Sequence, residues 1–179
     1  MPELSAIEDI LRDQPRKPPL DKWHPELSGD IDIRIDGRGD WYHEGTRIQR
    51  QPLVNLFASI LRREGDGDYY LVTPVEKWRI AVEDTPLLAV DMEIVREANT
   101  AQRLIFRLNT GELIEVSAEH PLKVAVGGGI DARPYIQLDN GLSAKLTTAA
   151  FYRLADILET RNDLPGVSSN GEWFSLGAA

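Results

Sequence analysis

Apolar and polar residues alternate strictly from Ile31 to Asp36. Ile31, Ile33 and Ile35 share one face, and Asp32, Arg34 and Asp36 share the other. A period of two predicts a half-buried strand. Gly37–Asp40 is turn chemistry. Trp41 and Tyr42 open a second strand, Gly45 allows a turn, and Thr46 to Gln49 return. The period then changes. Leu53, Leu56, Phe57, Ile60 and Leu61 fall at i, i+3, i+4, i+7 and i+8, which predicts a helix over 52–63. Pro52 suits its first position, and Arg62 and Arg63 suit its last turn against the helix dipole. Residues 64–68 are a glycine-rich break, after which YYLVTP and KWRIAVED read as strands. Pro74 marks an edge, a bulge or a corner between them.

Before this region, Ser5 and Glu8 form a capping box, and Ala6, Ile7, Ile10 and Leu11 follow at helical spacing. A helix is expected over 5–14, ended by Pro15. Residues 16–30 contain three prolines and Trp23, and are expected to lie extended with Trp23 as an apolar anchor. Beyond Pro86 the chain is mostly strand-like. Candidates are LLAVDMEIV (87–95), RLIFRL and ELIEVS around the Asn109-Thr110-Gly111 loop, and LKVAV and PYIQL around a GGGIDAR loop. LSAKL follows a tight turn at Asn140-Gly141. A second helix is predicted over 147–159, capped by Thr147 or Thr148, with Phe151, Leu154, Ala155 and Leu158 inward. One short strand is expected in the tail at EWFSL. Leu56 and Leu154 are expected to be core residues of their halves.

A shift of about 98 positions places Leu53 on Phe151, Leu56 on Leu154 and Ile60 on Leu158. Either the chain is duplicated or two amphipathic helices coincide. The fold class that follows is α+β, with two small β-rich halves. Each is a curved, mostly antiparallel sheet with one packed helix. Residues 1–84 hold the N-terminal helix, the proline-rich arm and the first half. Residues 85–179 hold the second, whose bent sheet and closing helix have a pleckstrin-homology-like outline.

Composition narrows the function. A net charge of -9 and a pI near 4.8 argue against bulk DNA binding, which needs many neutralised phosphates. No apolar run approaches the roughly 18 residues of a membrane span, and no secretory signal pattern opens the chain, so a cytoplasmic protein is expected. The absence of cysteine excludes thiol catalysis, disulfides and cysteine-ligated metals.

The segments SGDIDIRIDGRGDWYHEG, RQPLVNLFASILRREGDGDYYLVTPVEKWRIAVEDTPLLAVDMEIV and AEHPLKVAVGGG together resemble an uncharacterised bacterial domain-of-unknown-function family. The resemblance covers nearly the whole chain and is most specific in YYLVTPVEKWRIAVED. It implies a duplicated β-rich core with a pleckstrin-homology-like C-terminal half. It further implies a binding site where the halves meet, for a nucleotide-like ligand, and a role in intracellular signalling. It assigns no functional residues.

Chemistry candidates are few. The three histidines, His24, His43 and His120, lack metal-ligand spacing. Asp66-Gly67-Asp68 opens like a calcium loop, but Tyr69, Tyr70 and Leu71 stand where ligands should recur. Gly127–Gly129 does not sit between a strand and a helix, so a phosphate loop fails. Arg38-Gly39-Asp40 reads as an ordinary turn, and no nucleophile elbow or patterned triad is present. Arginine placement is more informative. Residues 26–64 hold six arginines against seven acids, whereas residues 84–179 hold eight basic and thirteen acidic residues. The first half is therefore the expected home of an anion site, unless its arginines pair with nearby aspartates on a solvated face.

The expected site is a cleft between the halves lined by Arg62, Arg63, Glu64, Thr73, Glu76 and Lys77, with Trp41 or Trp78 as a flat wall. Such a surface suits an anionic ligand with an aromatic ring. The expected function is a non-catalytic ligand-binding module, without a cofactor. The alternatives are a hydrolase using carboxylates such as Asp32 and Glu76, and a protein-interaction adaptor.

Overall fold

The computed structural model describes residues 17–124 and 133–177. The helix expected over 5–14 and the glycines at 127–129 lie outside them. The described residues form two compact units, one of 17–87 with Asp139–Leu142, the other of the remainder from 88 onward. Among them, no helix is long and apolar enough to cross a membrane.

The first unit begins with a short 3-10 turn at Leu20–Lys22, followed by β1 (Gly29–Ile35), β2 (Trp41–His43), β3 (Thr46–Arg47), α1 (Gln51–Ser59), β4 (Leu61–Arg63), β5 (Tyr69–Val72) and β6 (Lys77–Val82). The strands form one sheet in the order β3-β2-β1-β6-β5-β4. All neighbours are antiparallel except β1 and β6, which run parallel. The alternation in β1 is realised: Ile33 and Ile35 are buried and Asp32 is exposed. The Asp36 carboxylate accepts the Arg38 and Asp40 amides at 2.9 Å each and so builds the β1–β2 turn.

The helix expected over 52–63 is shorter. It ends at Ser59, and Leu61–Arg63 form β4, so the two arginines are strand residues and not helix-end charges. Three residues in β4 pair with Leu71, Tyr70 and Tyr69, and residues 64–68 close the hairpin. That pairing satisfies the same backbone groups that three more helical residues would. The inward face shifts too. Val54 is buried, Phe57 stacks on Trp41 with ring centroids 6.0 Å apart, and Leu56 is 58% exposed. Leu56 is therefore not a core residue.

The second unit contains β7 (Leu87–Val95), β8 (Arg103–Leu108), β9 (Leu113–Glu115), β10 (Leu122–Lys123), β11 (Tyr135–Gln137), β12 (Ser143–Leu146), α2 (Thr148–Ala155), β13 (Glu159–Arg161), β14 (Leu164–Ser169) and β15 (Glu172–Ser175). β7 to β12 form a mixed sheet, order β10-β11-β12-β7-β8-β9, that curls into a half-barrel. Its core includes Leu104, Phe106, Ile136, Leu146 and Leu154, all fully buried. Thr147 caps α2, its hydroxyl accepting the Ala150 amide at 3.3 Å. The helix is shorter than 147–159, and Ala155 is exposed, not inward.

Read from its other edge, this sheet runs β9-β8-β7-β12-β11-β10, the same order of connection as the first sheet. The helices do not share that correspondence. α1 lies between the third and fourth strands of its sheet, whereas α2 follows the sixth strand of its own. The 98-residue shift that superimposes the helices is thus not the register in which the strands recur.

The tail carries three strands where one was expected. β13, β14 and β15 form an antiparallel sheet. Its two hairpins turn through residues with positive φ, Asn162-Asp163 and Asn170-Gly171. Ser169 pins it to β8: the buried hydroxyl accepts the Leu104 amide (2.9 Å) and donates to the Val116 carbonyl (2.7 Å).

Candidate functional site

Strand register decides which of the expected site residues meet. Arg62, Tyr70, Arg79 and Asp30 lie directly opposite one another across β4, β5, β6 and β1, on one face. Arg63, Tyr69 and Ile80 form the adjacent row on the other face. Successive strand residues point to opposite sides, so Arg62 and Arg63 cannot line one rim.

On the first face the cations are neutralised by the fold. The Arg62 guanidinium donates to the Leu20 and Trp23 carbonyl oxygens (2.9 and 2.8 Å) and to Glu64 (2.7 Å). Lys77 donates to the other Glu64 oxygen at 2.9 Å, and its ammonium lies 4.7 Å from the Tyr70 ring centroid. The Arg62 and Lys77 side chains are only 12% and 17% exposed. Arg79 sits 5.6 Å from the same ring and pairs with Asp30 at 3.0 Å. Its Nε lies 3.3 Å from Asp68, an ion pair without hydrogen-bond alignment. The Tyr70 hydroxyl donates to Asp66. Leu20, Tyr70 and Val72 are buried together, with Trp23 and Ile60 packed against them. The proline-rich arm therefore lies on this face, held by Arg62.

Burial opposes the charge on Glu64, but the hydrogen bonds from Lys77 and Arg62 outweigh it and hold the carboxyl below its ordinary range. The Tyr70 hydroxyl, joined by the Asp68 amide, lowers Asp66. Asp36 is lowered because, against some burial, the Asp40 and Arg38 amides hold its charged form. In each case the unfolded chain binds protons before the folded one. Their contribution is complete above the unfolded carboxylate pKa, about 4, and is lost as pH falls through the lower folded values. The urea midpoint of the first unit is expected to stay level from about pH 7 to 5 and to drop below about 4. A midpoint that rose on acidification would contradict these assignments.

On the other face, Arg63 is exposed. Its guanidinium lies 5.4 Å from the Tyr69 ring centroid, and its Nε donates to the Gly67 carbonyl at 3.3 Å. Among the described residues no carboxylate forms an ion pair with it. Burial pushes the Tyr69 phenol up, Arg63 opposes this, and Asp84 adds to it.

The remaining expected residues disperse. Trp41 is 1% exposed, in the core beneath α1, and forms no ligand wall; its indole N–H has no acceptor among the described residues. Trp78 is half-buried on the Arg63 face, lies across Gly29, and donates to Glu76 at 3.4 Å. Glu76 thus pairs with Trp78, and Lys77 with Glu64. The Thr73 hydroxyl accepts the Glu76 and Val75 amides (3.0 and 3.4 Å) and fixes the β5–β6 turn. Of the residues around Arg62, Tyr70 was expected as a stacking aromatic and Asp66 as part of a solvated turn; Arg79 was not singled out, although the period of two in β5 and β6 places Tyr70 and Arg79 beside Arg62. Among the described residues no cluster of three His, Asp or Glu is placed to hold a metal ion.

Two adjoining family matches cover residues 18–176. Residues 18–85 match the N-terminal domain of DUF1285, described as a domain of unknown function, and residues 86–176 match the C-terminal domain of DUF1285, described as a protein of unknown function. The chain belongs to the DUF1285 family. It is similar to a DUF1285 family protein of Silicibacter pomeroyi DSS-3, with 36% identity over 98% of this chain and 94% of that one, and a TM-score of 0.84. A DUF1285 family protein of Shewanella baltica OS155 shares 33% identity over 69% of this chain and 90% of that one, with a TM-score of 0.54. No curated protein matches.

Proposed function

We propose that the chain is a non-catalytic binding module that acts in signalling and takes a small phosphate-bearing, nucleotide-like ligand at Arg63. One observation carries this reading. Of the arginines and the lysine on β4 and β6, Arg63 alone combines exposure with a guanidinium that no described carboxylate neutralises. A planar guanidinium binds phosphate through two parallel hydrogen bonds, and the Tyr69 ring 5.4 Å away and the Nε–H bond to the Gly67 carbonyl restrain it in advance. Trp78, half-buried on the same face, is the aromatic surface for a base. In this reading the curled sheet followed by α2 is a pleckstrin-homology-like scaffold.

The test is titration with AMP and GMP, with inorganic phosphate as control, followed by thermal shift and product analysis. A nucleotide that binds the native chain stabilises it by mass action. Arg63→Glu is expected to weaken that binding at least about tenfold, roughly 1.4 kcal/mol, while the exposed position leaves the nucleotide-free midpoint unchanged. Equal affinity in the variant, or no shift with either nucleotide, would reject the site. Turnover would favour the hydrolase alternative.

A further inference from the structure

We propose that the Asn140-Gly141 turn is a positioning element for Arg63, an inference that rests on reading Arg63 as the ligand-binding cation. The turn lies in sequence between β11 and β12, yet Asp139–Leu142 belongs to the first unit. Asn140 and Gly141 both hold left-handed backbone, with φ of 60° and 72°. Glycine adopts this conformation without cost, and asparagine tolerates it. Gly141 is also as close to Arg63 as a glycine alone can be. A β-carbon there would fall 2.6 Å from the Arg63 carbonyl oxygen and 3.2 Å from the Arg63 β-carbon.

The contact falls where it matters. β4 is an edge strand, paired on one side with β5. Its other side would otherwise be a row of free backbone groups with room to shift. Tyr69 holds Arg63 from the β5 side through the ladder, and Gly141 packs against its peptide and β-carbon. Fixing the backbone from which the guanidinium projects lowers the ordering entropy that a bound phosphate would otherwise have to overcome. Residues outside the 18–85 match thus complete the site that this match contains.

The experiment uses the full chain. Gly141→Ala introduces a clash and disfavours the turn. Side-chain NMR signals of Arg63 are expected to be shifted by the Tyr69 ring in the parent and to move toward free-arginine values in the variant. AMP affinity is expected to fall about tenfold, or 1.4 kcal/mol. In an Arg63→Ala background the same change is expected to have no further effect on affinity. Should Gly141→Ala not fold, Asn140→Ala strains the same turn without adding an atom against Arg63 and is read in the same way. Unmoved Arg63 signals, or an equal loss of affinity in the Arg63→Ala background, would overturn the positioning role. Failure of the parent chain to bind AMP would instead reject the ligand reading, and the NMR shift would still decide whether the turn holds Arg63.

Discussion

Leu154→Ala is expected to destabilise the second unit by about 2–5 kcal/mol, whereas Leu56→Ala should stay within about 0.5 kcal/mol of the parent. Both leucines occupy the inward stripe that helical periodicity assigns. In the structure Leu154 is fully buried on α2, beside the equally buried Ala150, and Leu56 is 58% exposed on α1. Removing three carbon atoms from a packed interior loses their transfer free energy and leaves a cavity, since the surroundings relax only in part. Removing them from an exposed position does neither. Urea denaturation with an unchanged slope gives the comparison directly. Equal losses at the two positions would show that Leu56 is covered and that the inward face of α1 is assigned wrongly.

The contrast between the two leucines also shows where sequence periodicity carries and where it stops. In Ile31–Asp36 the alternation is long enough to have one reading, and β1 follows it. The turns at Asn109–Gly111 and Asn140-Gly141, and the Thr147 cap, were legible because each rests on local backbone chemistry. The stretch from Ile60 to Arg63 has two readings. It continues a helical stripe, and it can also pair as a strand, although two apolar residues followed by two arginines do not alternate. Its outcome depends on Tyr69–Val72, a partner that no local window contains. Asn170-Gly171 was a signal in plain view for a hairpin in the tail, but the flanking strands hold few aliphatic residues in a strict alternation. Arg62, Glu64 and Lys77, named together as lining of a site, do meet in the structure. What the sequence did not show was that one carboxylate binds both cations, or that the neighbouring Arg63 turns to the opposite face. A change of one residue in register reverses every such assignment.

Arg62 is where this difference has its largest consequence. Read from the sequence, it lines a ligand cleft at the end of a helix, where its reversal together with that of Lys77 should abolish binding and leave the fold intact. In the structure its guanidinium holds the carbonyl oxygens of Leu20 and Trp23 and one oxygen of Glu64, with 12% of the side chain exposed. Arg62→Met keeps the aliphatic stem and removes all three donors. Two carbonyl oxygens and a carboxylate then lose charge-assisted bonds, and the loss expected is about 2–4 kcal/mol. The arm should loosen first, because Leu20 is buried only while residues 20–23 lie against Tyr70 and Val72. Amide exchange at residues 20–28 is therefore expected to quicken more than exchange in β1 or β6. Arg62→Glu with Lys77→Glu should be worse still, since it surrounds Glu64 with like charge. An unchanged midpoint and unchanged exchange in Arg62→Met would mean that the arm is held by Leu20 packing alone. Arg63→Glu, one residue along the strand, separates the two roles: it should leave arm protection untouched and alter only binding.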